Sequence, residues 1–319
     1  MTDKEKYIEF SKIETDIPIF MQWWWMDAVC MEGEWNVVLC ERNHKIVGCL
    51  IFFLKKKFGL RYVTQPPLTQ KNGIFIKYPQ GLSVEKRISF EKDVINELIN
   101  KFEKYKLLFY IQSFDHVYTN WLPFYWKGYK QSTCYTYRLE DISNIENVIS
   151  RFDYSKRNDL KFALKQNFLI KYGEPTDSLY AYHKKVLAKQ GKTISYSKDL
   201  LQRIINVVFE RKCGKIIYIM DDLGNIHSSI FVIWDKMTSY NLITAIDPDF
   251  RKSRSSVLLF KEAIVESSKY VNIFDFEGSM IESVESSYRK FGTIQTPYNV
   301  IKKIYSKNVF LKFLIANRF

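Results

Sequence analysis

What this sequence lacks first is any pairing among its cysteines. Cys30, Cys40, Cys49, Cys134 and Cys213 form an odd set with no C-x-x-C spacing. That excludes a disulfide framework and fits thiols kept reduced in the cytoplasm. Histidine is scarce too. His44, His116, His183 and His227 stand apart from one another and from the cysteines, so no metal-ligand spacing arises and no metal is expected. Long apolar runs are also missing. Leu50 to Leu54 is the longest near the N-terminus, far short of the ~20 residues of a membrane helix. Met1 to Phe10 is charged and lacks the apolar stretch of a secretory signal. The expectation is a protein that spans no bilayer.

What is present is enough apolar side chain for sizeable cores, 46% hydrophobic and 16% aromatic residues in a chain of 319. That length predicts about two domains at roughly 100–200 residues each. The net charge of +13 predicts attraction to polyanions. The candidates are a pyrophosphate-bearing cofactor or sugar nucleotide, tRNA, or an anionic membrane surface touched peripherally. Solvated surface lysines are the bland alternative.

The chain also resembles itself. Tyr125 to Tyr135 can be laid over Tyr288 to Tyr298 at an offset of 163, matching Tyr125 with Tyr288, Lys127 with Lys290, Thr133 with Thr296 and Tyr135 with Tyr298. The neighbouring pattern follows. Helix Ser89 to Tyr105 and strand Lys106 to Gln112 have counterparts in helix Ser256 to Tyr270 and strand Val271 to Phe276. Final strands are expected at Ser132 to Leu139 and Gln295 to Ile301. Each half also carries a hairpin, Val37–Glu41 with Ile46–Phe53 and Ile216–Met220 with Ile226–Trp234. Further helices are expected at Ile145 to Gln166, Asp177 to Gln190 and Asp199 to Lys212, with a strand at Ser239 to Ile246. The repeat is longer than a solenoid unit and predicts two copies of one α/β domain with a mixed sheet, residues 1–139 and 140–319. Glu140 to Asn144 at the junction has no Pro or Gly run that would make a flexible tether.

One block makes a family resemblance specific. Asn272-Ile273-Phe274-Asp275-Phe276-Glu277-Gly278-Ser279-Met280-Ile281, then Tyr288-Arg289-Lys290-Phe291-Gly292 and Pro297-Tyr298, is similar to the C-terminal signature of Fem-type acyltransferases. These are tandem acetyltransferase-like (GNAT) enzymes, among them those that build peptidoglycan interpeptide bridges. Lys156-Arg157 with Lys161, Lys189-Gln190-Gly191, Phe20-Met21-Gln22 with Trp25, and Gln65 to Gln70 also resemble family positions. The resemblance implies two GNAT-like domains with chemistry in the second. It also implies an acyl donor, acyl-CoA (acetyl-CoA above all) or aminoacyl-tRNA, and an acceptor amine on a cell-envelope or metabolite precursor.

The sequence departs from the pattern twice. A GNAT phosphate loop reads Gln/Arg-x-x-Gly-x-Gly/Ala, whereas Arg251-Lys252-Ser253-Arg254-Ser255-Ser256 has no glycine. Donor phosphate should therefore meet the side chains of Arg251, Lys252, Arg254, Ser255 and Ser256 more than backbone. Cys30 stands where relatives acting on UDP-linked precursors carry a basic residue.

Acyl transfer to an amine needs a base and an oxyanion donor. Glu277, just past its strand, is the candidate base, or else a carboxylate favoured by a helix N-terminus. Lys290 or Arg289 would stabilise the oxyanion or hold donor phosphate. Arg157 and Lys161 are four apart on one helix face beside Lys156, forming a stripe for phosphate or tRNA, or a solvated face. Lys189, Trp25 and Tyr298 complete the candidate substrate contacts, with core packing the alternative for the two aromatics. No Cys–His or Ser–His set supports a covalent intermediate. The expected activity is N-acyl transfer by direct attack; the other readings are an aminoacyl-tRNA-dependent transferase and an inactive anion-binding relative.

Overall fold

The computed structural model describes residues 1–173, 178–278 and 280–317. Its strands, in chain order, are β1 (Glu34–Arg42), β2 (Lys45–Lys57), β3 (Leu60–Thr64), β4 (Ile74–Ile76), β5 (Phe109–Ser113), β6 (Lys130–Glu140), β7 (Leu169–Gly173), β8 (Gly214–Met220), β9 (Ile226–Trp234), β10 (Thr238–Ile246), β11 (Ile273–Asp275) and β12 (Ile294–Ile304). The helices are α1 (Asp3–Ile13), α2 (Trp23–Val29), α3 (Val84–Phe102), α4 (Leu122–Trp126), α5 (Ile145–Ser150), α6 (Tyr154–Ala163), α7 (Ser178–Lys189), α8 (Lys198–Glu210), α9 (Ser255–Ser267), α10 (Glu282–Tyr288) and α11 (Lys307–Asn317). None of the described helices is long and apolar enough to cross a membrane.

The chain divides into two compact units, Met1–Cys134 with Pro297–Phe319, and Tyr135–Thr296. This differs from a cut at 139/140, and the reason is strand pairing. The last strand of the chain, β12, runs antiparallel beside β5 from Val300↔Ser113 to Ile304↔Phe109. The end of β6, reached before the midpoint of the chain, pairs with β11 from Arg138↔Asp275 to Glu140↔Ile273. Each unit takes its final strand from the other half of the sequence.

In the first unit β1 and β2 form an antiparallel hairpin. Asn43 and His44 turn it with φ of 50° and 60°, the left-handed pair that matches strand twist. β3 runs antiparallel to β2 and meets β5 in parallel at Val63↔Tyr110 alone. α3 buries Val94, Ile95, Leu98, Ile99 and Phe102 in one cluster with Leu50 and Phe52 of β2. Their spacing is that of an amphipathic helix face. Cys40 and Cys49 lie in this interior, where burial pushes their thiols up to about 11 and about 12. They behave as small apolar side chains.

The second unit repeats the scheme: β8 and β9 antiparallel, β10 antiparallel to β9, β11 parallel to β10, then β6. β7 adds an edge strand beside β8. α9 packs Val257, Leu258, Phe260, Ala263 and Ile264 against Ile217, Ile219, Ile230 and Val232. The expected helix over 145–166 is two helices. Asp153 interrupts it, its carboxylate accepting the Ser155 N–H at 2.9 Å as the cap of α6. The expected start of α7 at Asp177 lies outside the described residues.

Two left-handed glycines mark equivalent points of the halves. Gly128 (φ 78°) follows α4 and Gly292 (φ 72°) follows α10, and β6 and β12 then begin at 130 and 294. Both steps are 164 residues (292 − 128 and 294 − 130), not 163. Gly292 is fixed twice over, since a Cβ there would also come within 2.5 Å of the Arg151 carbonyl oxygen.

Candidate active site in the second unit

β10 and β11 pair only through Thr238↔Ile273, Ser239↔Phe274 and Tyr240↔Asp275. Past Tyr240, β10 carries a bulge between Asn241 and Ile243 against β9, and bulges bend a strand and end regular pairing. Asn241, buried in the gap, bridges it with its side chain. Its Nδ2 donates to the Phe276 carbonyl at 3.3 Å and to the Tyr288 hydroxyl oxygen at 3.2 Å. Its Oδ1 accepts from Thr244 at 2.6 Å. On the other strand Asp275 is 1% exposed and accepts from the Thr136 hydroxyl and, at 2.8 Å, from the Glu277 N–H.

That last bond helps hold Glu277 in the left-handed region, φ 58°, where a glutamate costs backbone energy. The turn keeps the half-buried carboxylate at the end of β11. Tyr288 reaches the same point from α10, its ring 5.1 Å from that of Phe276. Burial, then the negative charge of Glu277, push its phenol well above the usual range, with the Asn241 bond opposing. Tyr288 is therefore a neutral phenol whose oxygen accepts from Asn241 and whose hydroxyl donates to no described residue.

The C-terminal end of β10 leads straight to the start of α9. Asp247 ends β10 with its carboxylate accepting the Asp249 N–H at 3.1 Å, and a 3₁₀ turn over Pro248–Ser253 follows. Arg254 then adopts φ 58°, ψ 16° and begins α9 with no side-chain cap. Arg254 occupies the first glycine position of the phosphate-loop pattern and keeps the backbone conformation glycine adopts freely. The backbone conformation thus survives the loss of glycine, and a guanidinium is added.

Lys156 on α6 feels the charges of both Arg254 and Lys290. Burial, and then the charges of Lys290 and Arg254, lower the Lys156 pKa, while Asp159 and Asp153 oppose the shift. The Lys156 ammonium donates to Ser287 at 3.1 Å and lies 4.6 Å from the Phe291 ring. Arg254 pairs with Asp159 at 3.3 Å. Arg254 thus stands at a helix N-terminus, which itself favours anions, and Lys156 lies near enough to feel its charge and that of Lys290. Arg251 and Lys252 are exposed, Ser256 is half-buried and Ser255 is buried, its N–H on the Ser253 hydroxyl at 3.3 Å.

The remaining candidates lie elsewhere. Arg289 is exposed and sits 3.9 Å from Glu285 on its own helix. Arg157 donates to the Ser150 carbonyl at 3.1 Å and to that of Phe152, closing the end of α5. Lys161 is solvent-exposed. Lys189 holds both carboxylate oxygens of the buried Asp247 at 2.7 Å, fixing the turn after β10. Trp25 is fully buried in the first unit with its indole N–H on Thr69 at 2.9 Å, which makes it a core residue rather than a ligand surface. Tyr298 also belongs to the first unit, its ring 5.9 Å from the Lys71 ammonium. Cys30 is buried at the end of α2. Ser279 lies outside the described residues. Among the described residues no group of three or more His, Cys, Asp or Glu side chains converges as a metal site would.

The residues missed in the sequence are Asn241, Thr244 and Thr136. An amide inside the apolar strand Ser239 to Ile246 was the available signal, because a buried polar group needs partners.

No family model and no curated protein matches the chain in sequence. Solved structures match its fold. FemX superimposes with a TM-score of 0.72 at 12% identity, covering 99% of this chain and 98% of that one. L-PGS from Bacillus licheniformis gives 0.55 at 9%, covering 92% and 91%. A tandem GNAT protein from the clavulanic acid biosynthesis pathway gives 0.53 at 9%, covering 85% and 83%. Over nearly its whole length, this chain has the tandem GNAT fold of FemX.

Proposed function

We propose that the second unit is an N-acyltransferase site at which an amine attacks an activated acyl donor directly. One observation carries the reading. A gap lined by Glu277 and the neutral phenol of Tyr288 opens at the end of β10 that leads to the uncapped, cationic start of α9. Donor phosphate on Arg254, Lys156 and Lys290, with Arg251 and Lys252 flanking, would lay the acyl group towards the gap. The amine nitrogen bonds to the acyl carbon, and Glu277 takes the ammonium proton directly or through water. The leaving thiolate or ribose oxygen departs with the acyl–heteroatom bond pair, and Tyr288 supplies its proton. Lys290 serves phosphate in this arrangement, while Asn241 orients Tyr288.

An acyl-CoA, acetyl-CoA above all, is the donor that the phosphate-loop geometry favours. A fold-mate is a tandem GNAT protein from the clavulanic acid biosynthesis pathway, solved without AcCoA. Aminoacyl-tRNA is the second reading, favoured by the net charge of +13 and the fold shared with FemX. The acceptor is the amine of a cell-envelope or metabolite precursor in the cytoplasm, with the first unit in a non-catalytic role. Acetyl-CoA titrated into Arg251→Ala/Lys252→Ala/Arg254→Ala should bind at least roughly tenfold more weakly than to the unaltered chain, by the loss of charge-assisted bonds. Equal affinity in calorimetry would remove coenzyme A from this site. Steeply salt-dependent tRNA binding in its place would support the second reading.

A further inference from the structure

A second cavity lies at the opposite end of the second unit from the gap, where β9 ends and α9 has run its length. It is a cleft of about 340 Å³ lined by Tyr172, Phe209, Lys212, Lys215, Trp234 and Tyr270, with Gly173 and Gly214 between them. The volume is at the lower end of the ~300–1,000 Å³ of small-ligand sites, enough for one nucleotide-sized molecule. Trp234 is buried, and Tyr270 stacks on it with 4.4 Å between ring centres and 10° between planes. Tyr270 is nevertheless 53% exposed, so its outer face is a rigid, backed aromatic platform open to a second ring. Tyr172, 46% exposed, is anchored through its hydroxyl to Glu262 at 3.2 Å.

The charge of this rim is cationic in balance. Glu262 is bonded by Lys261 at 2.8 Å. Glu266 is engaged by Lys269 and, loosely at 3.8 Å, by Lys215. The charged residues that line the cleft itself are the two lysines 212 and 215. Lys212, exposed at the mouth, makes no ion pair with a described residue. Aromatic faces bind bases and lysines bind phosphate, and their pairing in one small cleft is the chemistry that recognises a nucleotide.

We infer that this cleft binds a nucleoside monophosphate unit, its base on Tyr270 and its phosphate on Lys212 and Lys215. The unit is either a free nucleotide or the end of a single-stranded RNA. This site is separate from the cationic start of α9 and does not depend on the acyl-transfer reading.

The test uses the full chain with AMP, adenosine, inorganic phosphate and a short single-stranded oligoadenylate, read by calorimetry and saturation-transfer NMR. AMP should bind one per chain, with adenosine and phosphate each at least roughly tenfold weaker, since each keeps only half the contacts. Tyr270→Ala should weaken AMP by roughly 5- to 150-fold, the range for loss of one base–aromatic stack. Lys212→Ala/Lys215→Ala should bring AMP down to the affinity of adenosine. Lys212→Glu, at an exposed position, gives the same loss without touching the interior, and unchanged melting curves establish that each variant is folded. Tighter binding of oligoadenylate than AMP assigns an RNA end; equal or weaker binding assigns a free nucleotide. Absence of AMP binding at millimolar concentration overturns the inference. So does AMP binding that survives all three variants and is lost in Arg254→Ala, which would place the nucleotide at the start of α9.

Discussion

The two units share a strand scheme but have opposite centres. In the first, the gap between β3 and β5 is filled. Gln65 Oε1 accepts the Ser113 N–H across it at 2.9 Å, and Gln112 donates to Asn72 at 2.7 Å and to the Ile51 carbonyl at 2.8 Å. Tyr110 donates to Gln112 Oε1 at 2.8 Å, so both ends of this buried amide are engaged. α3, the counterpart of α9, is capped by its own Ser83, whose hydroxyl accepts the Lys86 N–H at 3.4 Å. In the second unit the gap keeps a carboxylate and a phenol proton at its mouth, and α9 starts uncapped beside cations. At the first gap the amides are engaged with one another, whereas the second carries Glu277 and the Tyr288 hydroxyl. A polar network satisfied internally rigidifies a core, whereas one with capacity left over can serve a ligand.

That contrast can be broken most sharply at the gaps themselves. Glu277→Gln should lower turnover by about 10²–10⁴-fold at neutral pH, and less at high pH where the amine already lacks its proton. Gln112→Ala, the corresponding disruption in the first unit, should cost stability and leave turnover per folded molecule unchanged. Full activity of folded Glu277→Gln across the pH range would exclude the carboxylate as base.

Next in size is a buried charge in the first unit. Lys71 is 2% exposed, and its charge acts on Asp115. Burial pushes the Asp115 pKa up, but the His116 hydrogen bond and then Lys71 more than offset this and hold it well below the usual range. Asp115→Asn should destabilise the protein by about 1–3 kcal/mol, the cost of losing a buried charge-assisted hydrogen bond, measured by denaturant unfolding. Because the carboxyl is depressed, its stabilising contribution is complete above the unfolded value of 3.8 and fades as pH falls below it.

Smaller effects come from the helix starts. Ser83→Ala should cost about 1 kcal/mol with no change in donor affinity. A change in donor affinity would show that the two helix starts are not divided as described. The mildest effect belongs to Lys156, whose proton the folded state holds less tightly than the unfolded chain does at its ordinary 10.5. Between the lowered value and 10.5 the unfolded chain binds more protons, so stability should rise with pH there. Lys156→Met should flatten that rise in thermal melts. An unchanged slope would mean that the charges around Lys156 cost nothing.

Much of this was legible in the sequence because it rests on local rules. The hairpins, α3, α9 and the final strands follow from apolar periodicity and turn residues, and β8 and β9 fall within two residues of expectation. The Asp275–Gly278 block marked the gap, and Arg254 was singled out as standing at a glycine position. That it would keep the left-handed backbone could not be read, since propensity argues against it. β7 escaped notice because most of its residues face solvent, leaving no alternation. The influence of Arg254 and Lys290 on Lys156 depends on packing α6 against α9. The bridging role of Asn241 depends on where a ladder stops, and pairing across distant segments leaves no local trace. The same holds for the final strands, which were correctly located as strands but assigned to the wrong unit.

That exchange of strands also dictates an order of events during synthesis. The first unit emerges from the ribosome early but cannot finish its sheet until β12 arrives, after residues 135–296 have been made. At roughly 5–20 residues per second, those 162 residues take about 8–30 s. For that time β5 offers an unpaired edge, the kind that invites pairing with another chain. The second unit has no such wait, because β6 precedes every strand it must join. The half of the sequence translated last is therefore the first able to close, and a nascent chain stalled in the interval would be held open by the absence of a single strand.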